Sequence, residues 1–276
     1  DMKITTLLEN KTTCDALRCE HGLSLYIETA KHKILFDSGA SDAFWENAKA
    51  LGIDLAQVDI AFLSHAHNDH CGGLLTFLRG NRTAKVYLQK EAFGDYYVVT
   101  PTKCAFIGLD PKLHEYADRF VMAEGVTKID EELTLFSGIR THELLSEANA
   151  TLREKVGGDY PRDAFRHEQD LLVTEHGKTV LFAGCAHSGI INIINRAEDI
   201  LGRAPDYVFA GFHLYNPSLG QSEPRALVDA VGERLRARKA TRYVTGHCTG
   251  DDAYVWLREA LGDRLAYMAT GTTFTI

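Results

Sequence analysis

No apolar run in this chain reaches the roughly 18–20 residues that a membrane-spanning helix needs, so no membrane partner is expected. No long basic run occurs, and the 276 residues carry a formal net charge of −8, which disfavours a nucleic-acid surface. No Cys-x-x-Cys pair occurs among the six cysteines, at 14, 19, 71, 104, 185 and 248. The apolar share is 45% and the charged share 25%, ordinary globular values that make a disulfide framework unnecessary. The opening residues Asp1-Met2-Lys3-Ile4 enter a strand pattern at once and lack a signal-peptide pattern. Reduced thiols and a cytoplasmic location are therefore expected. No flavin-binding motif is apparent, so an electron-transfer role is the least favoured class. The length suits one large domain or two small ones.

What the chain does have is a concentration of metal-ligand side chains. His65, His67, Asp69 and His70 fall within six residues. Neutral imidazoles and a carboxylate are ligands that zinc accepts. The short apolar run Val58–Leu63 before them reads as a buried strand, and Gly72-Gly73 with Leu74–Leu78 after them reads as a helix start. The cluster therefore sits on a strand-to-helix loop held by a rigid strand. A His-rich loop can bind metal incidentally. The aspartate between the second and third histidines, and the strand leading directly into them, argue for a built site.

Along the chain, residues 3–8, 23–28, 33–36 and 85–88 read as strands. Ser41 is expected to cap a helix running to about Leu51, with Asp42, Phe44, Trp45, Ala48 and Leu51 as its stripe. Residues 89–117 lose periodicity and read as a cap or as plain surface. Short strands are expected at 119–122, 127–129 and 133–136. Residues 138–166 are polar and irregular and read as a flexible flap near the site. A hairpin over 171–183, a helix over 188–201, a strand at 207–210, a helix over 223–238, a strand at 242–245 and a helix from Asp251 follow. Residues 265–268 and 272–276 close the sheet. Strands end in Asp37, in His65–His70, in Cys185-Ala186-His187, in His213 and in His247. Strand ends on one side of a sheet share a rim, where residues distant in sequence can meet.

The pattern His65-x-His67-x-Asp69-His70 resembles the metal-binding motif of the metallo-β-lactamase fold superfamily. That resemblance implies an α/β fold, a four-layered αβ/βα sandwich with the metal site at one edge, as a single domain over 1–276. Longer phrases narrow it. Glu20-His21-Gly22-Leu23-Ser24, His167-Glu168-Gln169, Gly184-Cys185-Ala186-His187-Ser188-Gly189, Gly211-Phe212-His213-Leu214 and Gly246-His247-Cys248-Thr249-Gly250 are similar to the dihydropterin–ribofuranosylaminobenzene 5'-phosphate synthase-like subgroup. The resemblance implies that Asp37 buttresses the metal loop through hydrogen bonds, as outer carboxylates do. Many members of the wider superfamily place a bridging aspartate where this chain has Cys185, which is either a zinc-binding thiolate or a small buried hydrophobe. Cys71, Cys185 and Cys248 each adjoin a histidine motif and are expected near the metal.

His65 and His67 would serve one ion, and Asp69 and His70 a second. His187 and His247 are the first choices for the remaining ligands, with His167 second to His187. The cofactor expected is a divalent metal, zinc first, as one or two ions, with manganese or iron as alternatives. Zinc lowers the pKa of bound water to about 7, so the leading expectation is a metal-dependent hydrolase using hydroxide on a small ester, thioester or phosphate ester. Asp69 and His213 are its expected catalytic residues. The alternative is a transferase joining a dihydropterin methyl diphosphate to an aminobenzene ribofuranosyl phosphate, with metal holding the diphosphate. A metal-binding protein without catalysis ranks third. A small-molecule substrate is the expected partner, and homo-oligomer formation stays open.

Overall fold

The computed structural model describes all 276 residues. The first half runs β1 (Lys3–Leu8), β2 (Ser24–Glu28), β3 (Lys33–Phe36), α1 (Ala43–Ala50), β4 (Ile60–Phe62), α2 (Asn68–Cys71), α3 (Leu74–Gly80), β5 (Lys85–Gln89), β6 (Tyr96–Thr100), β7 (Lys103–Phe106) and β8 (Phe120–Ala123). The second runs β9 (Val126–Lys128), β10 (Leu133–Phe136), β11 (Leu152–Glu154), β12 (Asp170–Glu175), β13 (Lys178–Phe182), α4 (Ile190–Leu201), β14 (Tyr207–Ala210), β15 (Tyr215–Asn216), β16 (Gln221–Ser222), α5 (Arg225–Arg236), β17 (Arg242–Thr245), α6 (Asp251–Leu261), β18 (Leu265–Tyr267) and β19 (Thr273–Thr275).

Two seven-stranded sheets result, ordered β19-β1-β2-β3-β4-β5-β8 and β18-β17-β14-β13-β12-β10-β9. Alternation along each strand decides which layer a side chain joins. Ile34, Phe36, Ile60 and Phe62 of the first sheet meet Leu171, Val173, Val180, Phe182 and Phe209 of the second between the sheets. Leu35 and Ala61 turn outward to Phe44 and Phe77 of α1 and α3. Leu172, Leu181 and Val208 turn outward to Ile193, Val228 and Leu257 of α4, α5 and α6. The order of layers is helix, sheet, sheet, helix: the four-layered αβ/βα sandwich. Strands buried on both faces read as near-continuous apolar runs, which is why β13 and β14 were legible.

The parallel strands fix the rim. β3 pairs parallel with β4, and β13, β14 and β17 pair parallel in series. Parallel neighbours need crossover connections, here supplied by α1, α4 and α5, so their carboxyl ends point the same way. Asp37, His65–His70, Cys185–His187, His213 and His247 each follow one of those ends. Open α/β sheets commonly bind ligands outside the carboxyl ends of their strands.

Several local expectations are corrected. Helix α1 starts at Ala43 with Asp42 in the cap position, and Ser41 stands one residue earlier, its Oγ accepting from Ala43 N–H at 3.2 Å. The buried face of α1 is Ala43, Phe44, Asn47 and Ala48. Asn47 belongs there because its Nδ2 donates to the Leu7 and Arg18 carbonyls at 2.7 and 2.8 Å. The metal loop does not run straight into one helix, since the short α2 precedes α3. Segments 89–117 and 138–166 are not structureless. β6 from the first pairs with its neighbour β7 and with β11 from the second in a three-stranded sheet, Leu152 opposite Val98. Its strands mix apolar and polar residues on the partly exposed face, which hid the strand period.

Candidate metal centre

The loop from β4 to α2 is anchored before it carries any ligand. Asp37, at φ 60°, accepts from Ser64 N–H at 2.7 Å, from the Ser64 hydroxyl at 2.6 Å and from His70 Nδ1–H at 2.6 Å. The buttress role expected of Asp37 is what the structure shows. Gln169 ties the loop to the sheet, its Nε2 donating to the Leu63 and Tyr87 carbonyls at 2.8 and 2.9 Å. Gly184 lets the end of β13 approach closely, because a Cβ there would lie 2.1 Å from Ser64 Oγ.

His65, His67 and His187 come together as one group. Their ring centroids lie 4.7, 4.9 and 5.0 Å apart, and all three Nε2 atoms are buried without a hydrogen-bond partner. His65 Nδ1–H donates to Ser64 Oγ at 2.8 Å, and His187 Nδ1–H donates to Asn149 Oδ1 at 2.9 Å. Those outward bonds leave the Nε2 of His65 and of His187 as free acceptors. A buried unpartnered polar atom costs about 1–3 kcal/mol, so three in one triangle call for a shared partner. Burial, then the neighbouring imidazoles, hold His65 and His187 well below the usual histidine pKa, which keeps them neutral as ligands must be.

Asp69, His70, His247 and Cys185 form the second group, their donor atoms all within 4.8 Å of one another. His247 Nδ1–H donates to Asn10 Oδ1 at 2.7 Å, as His70 does to Asp37. The two Nε2 atoms then face each other at 3.0 Å, with Asp69 Oδ2 2.9 Å from that of His247. Two lone pairs at that distance repel unless a cation or a proton sits between them. Burial opposes ionisation of Asp69, but His70, His21 and His247 outweigh it and hold the carboxyl well below its usual range. Both groups fit divalent metal: clustered imidazole nitrogens, a carboxylate held ionised and outer acceptors behind most of the rings.

The two choices for the third histidine differ in their hydrogen bonding. His167 has both nitrogens engaged: Nδ1 accepts from Ala66 N–H at 2.9 Å and Nε2–H donates to Asp163 at 2.8 Å. It holds the loop instead of offering a lone pair. His213 lies beside the centre with its ring 4.3 Å from that of His187, buried, at φ 47°, with neither nitrogen bonded. Cys185 and Cys248 lie at the site as expected. Cys71 does not, since its sulfur joins the outer apolar core, 4.0 Å from the Gly108 carbonyl.

Sequence reasoning missed several supporting residues. Asn10 and Asn149 orient His247 and His187. Glu9 accepts from His247 N–H at 2.7 Å, and Glu168 accepts from His187 N–H at 2.7 Å. Glu168 carried a signal, being inside the quoted His167-Glu168-Gln169 phrase; the two asparagines carried none. His21 also reaches the centre, its Nε2 3.3 Å from Asp69 Oδ2. A cavity of about 300 Å³ opens over the site, lined by His67, Asp69, His187 and His213 and by Val98, Lys103 and Leu152 of the small sheet. A larger one of about 710 Å³ adjoins it across His187.

Fold and site are those of a metallo-β-lactamase-fold protein with a candidate divalent-metal centre, and the chain is similar to the metallo-β-lactamase superfamily. The family model for that superfamily matches residues 17–99. A crystal structure described as a metal-dependent hydrolase of the β-lactamase superfamily matches 100% of this chain and 99% of its own, at 25% identity and TM-score 0.84. The 7,8-dihydropterin-6-methyl-4-(β-D-ribofuranosyl)-aminobenzene-5'-phosphate synthase of Methanocaldococcus jannaschii is 27% identical over 266 residues, 91% of this chain and 88% of that protein. An uncharacterised protein of the same organism is 29% identical over 221 residues, 77% of this chain and 80% of its own. That superfamily consists largely of enzymes. No helix is long and apolar enough to cross a membrane.

Proposed function

We propose that this protein hydrolyses a small ester, thioester or phosphate ester at a two-ion centre. The observation that carries the reading is the triangle of buried, unpartnered Nε2 atoms of His65, His67 and His187 beside the group of Asp69, His70 and His247. The first three would hold one ion and the second three the other, zinc first by ligand chemistry, since imidazole suits zinc, iron and manganese better than magnesium. Bound there, a divalent metal lowers the pKa of water to about 7 and polarises a carbonyl or phosphoryl oxygen.

The chain's own groups supply the rest. Asp69, held ionised, accepts and orients a proton at its Oδ2, with His21 at its outer side. His213 presents two unengaged ring nitrogens at the cavity and binds the substrate's leaving side or returns a proton to it. The small sheet of β6, β7 and β11 covers the cavity, with Lys103 at its wall. The relative described as a metal-dependent hydrolase supports this reading.

A second reading is favoured by the synthase relative. It is a transferase that joins a dihydropterin methyl diphosphate to an aminobenzene ribofuranosyl phosphate. One panel decides between them: purified protein assayed on aryl esters, thioesters and phosphate mono- and diesters, beside both transferase substrates. Hydrolysis lost in a His65→Ala, His67→Ala protein supports the first reading. Full hydrolysis in that variant sinks it, and coupled product from the two transferase substrates reverses the ranking.

A further inference from the structure

Resting on the metal-centre reading, we propose that Cys185 is a thiolate ligand shared by the two ion positions. Its sulfur is the meeting point of two groups. It lies within 4.8 Å of the donor atoms of Asp69, His70 and His247, and within 4.8 Å of those of His65 and His187. The sulfur is 3.1 Å from His70 Nε2, and the residue is 3% exposed. Backbone geometry delivers it there. Gly184 brings the end of β13 against Ser64 and His65, and Ala186, at φ 55°, turns the chain so that His187 follows Cys185 into the site. Strain of that kind at a non-glycine residue persists only where the surroundings enforce it.

The neighbouring thiol is placed differently. Cys248 Sγ faces the Cys185 carbonyl at 3.7 Å and sits in a group with Cys185 and His213. Cys185 is a free thiol with its own proton, in hydrogen-bond contact with His70 Nε2. Metal binding displaces that proton to solvent and leaves one added negative charge among the ligands. A soft thiolate favours zinc, iron or cobalt over magnesium or calcium. This weighs against a magnesium-held diphosphate at the same centre.

The test uses the whole protein reloaded with cobalt(II), read by absorption. Visible d–d bands report cobalt held by any of the ligands. A near-ultraviolet sulfur-to-cobalt charge-transfer band reports thiolate ligation. The band should appear with the first equivalent, grow with the second, vanish in Cys185→Ser and persist in Cys248→Ser, while the visible bands remain in both. Cys185→Asp, which keeps an anionic ligand, should hold full cobalt without the ultraviolet band and guards against a misfolded serine variant. Visible bands without the ultraviolet band in the unaltered protein would overturn the inference and leave the metal centre standing. So would a band lost in Cys248→Ser instead. A band complete at one equivalent would overturn the sharing. No cobalt bound at all would fell the metal-centre reading and this inference with it.

Discussion

Four of the five histidine rings at the centre are held by an outward hydrogen bond from Nδ1. Asp37 takes the Nδ1 proton of His70, Asn10 that of His247 and Asn149 that of His187. Removing such an outer acceptor typically costs 10–100-fold in metal affinity. Asp37→Asn should therefore weaken metal binding by about that factor, measured by competition with a chromogenic chelator. Unchanged affinity would show that His70 needs no carboxylate behind it. His167 makes a contrasting case. His167→Ala takes the partner from Ala66 N–H and from Asp163 Oδ2, a cost of about 1–3 kcal/mol for each group left unsatisfied. Urea unfolding should register that loss while metal content stays close to that of the unaltered protein. The sequence motif made His65, His67, Asp69 and His70 legible because they fall within six residues. It left His167 and His187 undecided because tautomer and partner, not spacing, distinguish a ligand from a strut.

At the scale of elements, the site depends on how closely the β13 end approaches the β4 loop. Gly184→Ala would place a methyl 2.1 Å from Ser64 Oγ, so the strand end or the loop must move. Overpacking of this kind costs about 1–3 kcal/mol. The expected outcome is a lowered urea midpoint together with lost metal, because the displaced Ser64 orients His65. A fully stable variant with full metal content would contradict the close approach. The two sheets and five of the helices were readable because strands buried on both faces leave apolar runs and α4 leaves a clear apolar face. The sheet of β6, β7 and β11 was not. Its strands come from segments some 50 residues apart by number, carry exposed Lys103 and Cys104, and gain their pairing only in three dimensions.

At the scale of the molecule, the rim opposite the metal centre is closed by charge. His32, on the β2–β3 turn of one sheet, bridges Asp59 Oδ2 and Asp130 Oδ2, each at 2.5 Å, and Asp130 lies on the β9–β10 turn of the other sheet. Burial lowers the His32 pKa, but the two carboxylates outweigh it and raise it above the usual value. The stabilisation is therefore complete below the unfolded value of about 6.5 and is lost as pH rises through the raised folded value. Asp130 works in the opposite sense. Burial raises its pKa, but His32 and two backbone N–H groups outweigh that and lower it, so its share is lost as pH falls below about 3.9. His32→Gln should lower the urea midpoint at pH 6 and matter progressively less on the alkaline side, with metal content unchanged. A pH-independent difference would mean that the bridge contributes by packing alone.

The central claim is that His187, not His167, completes the first ion position. Metal per chain by plasma mass spectrometry, on protein purified without added metal, tests it most directly in the unaltered chain, in His187→Ala and in His167→Ala. The account predicts about two equivalents of zinc, iron or manganese in the unaltered chain, as two-metal sites hold. It predicts a clear fall in His187→Ala and little change in His167→Ala. Metal that persists in His187→Ala and falls in His167→Ala would contradict it.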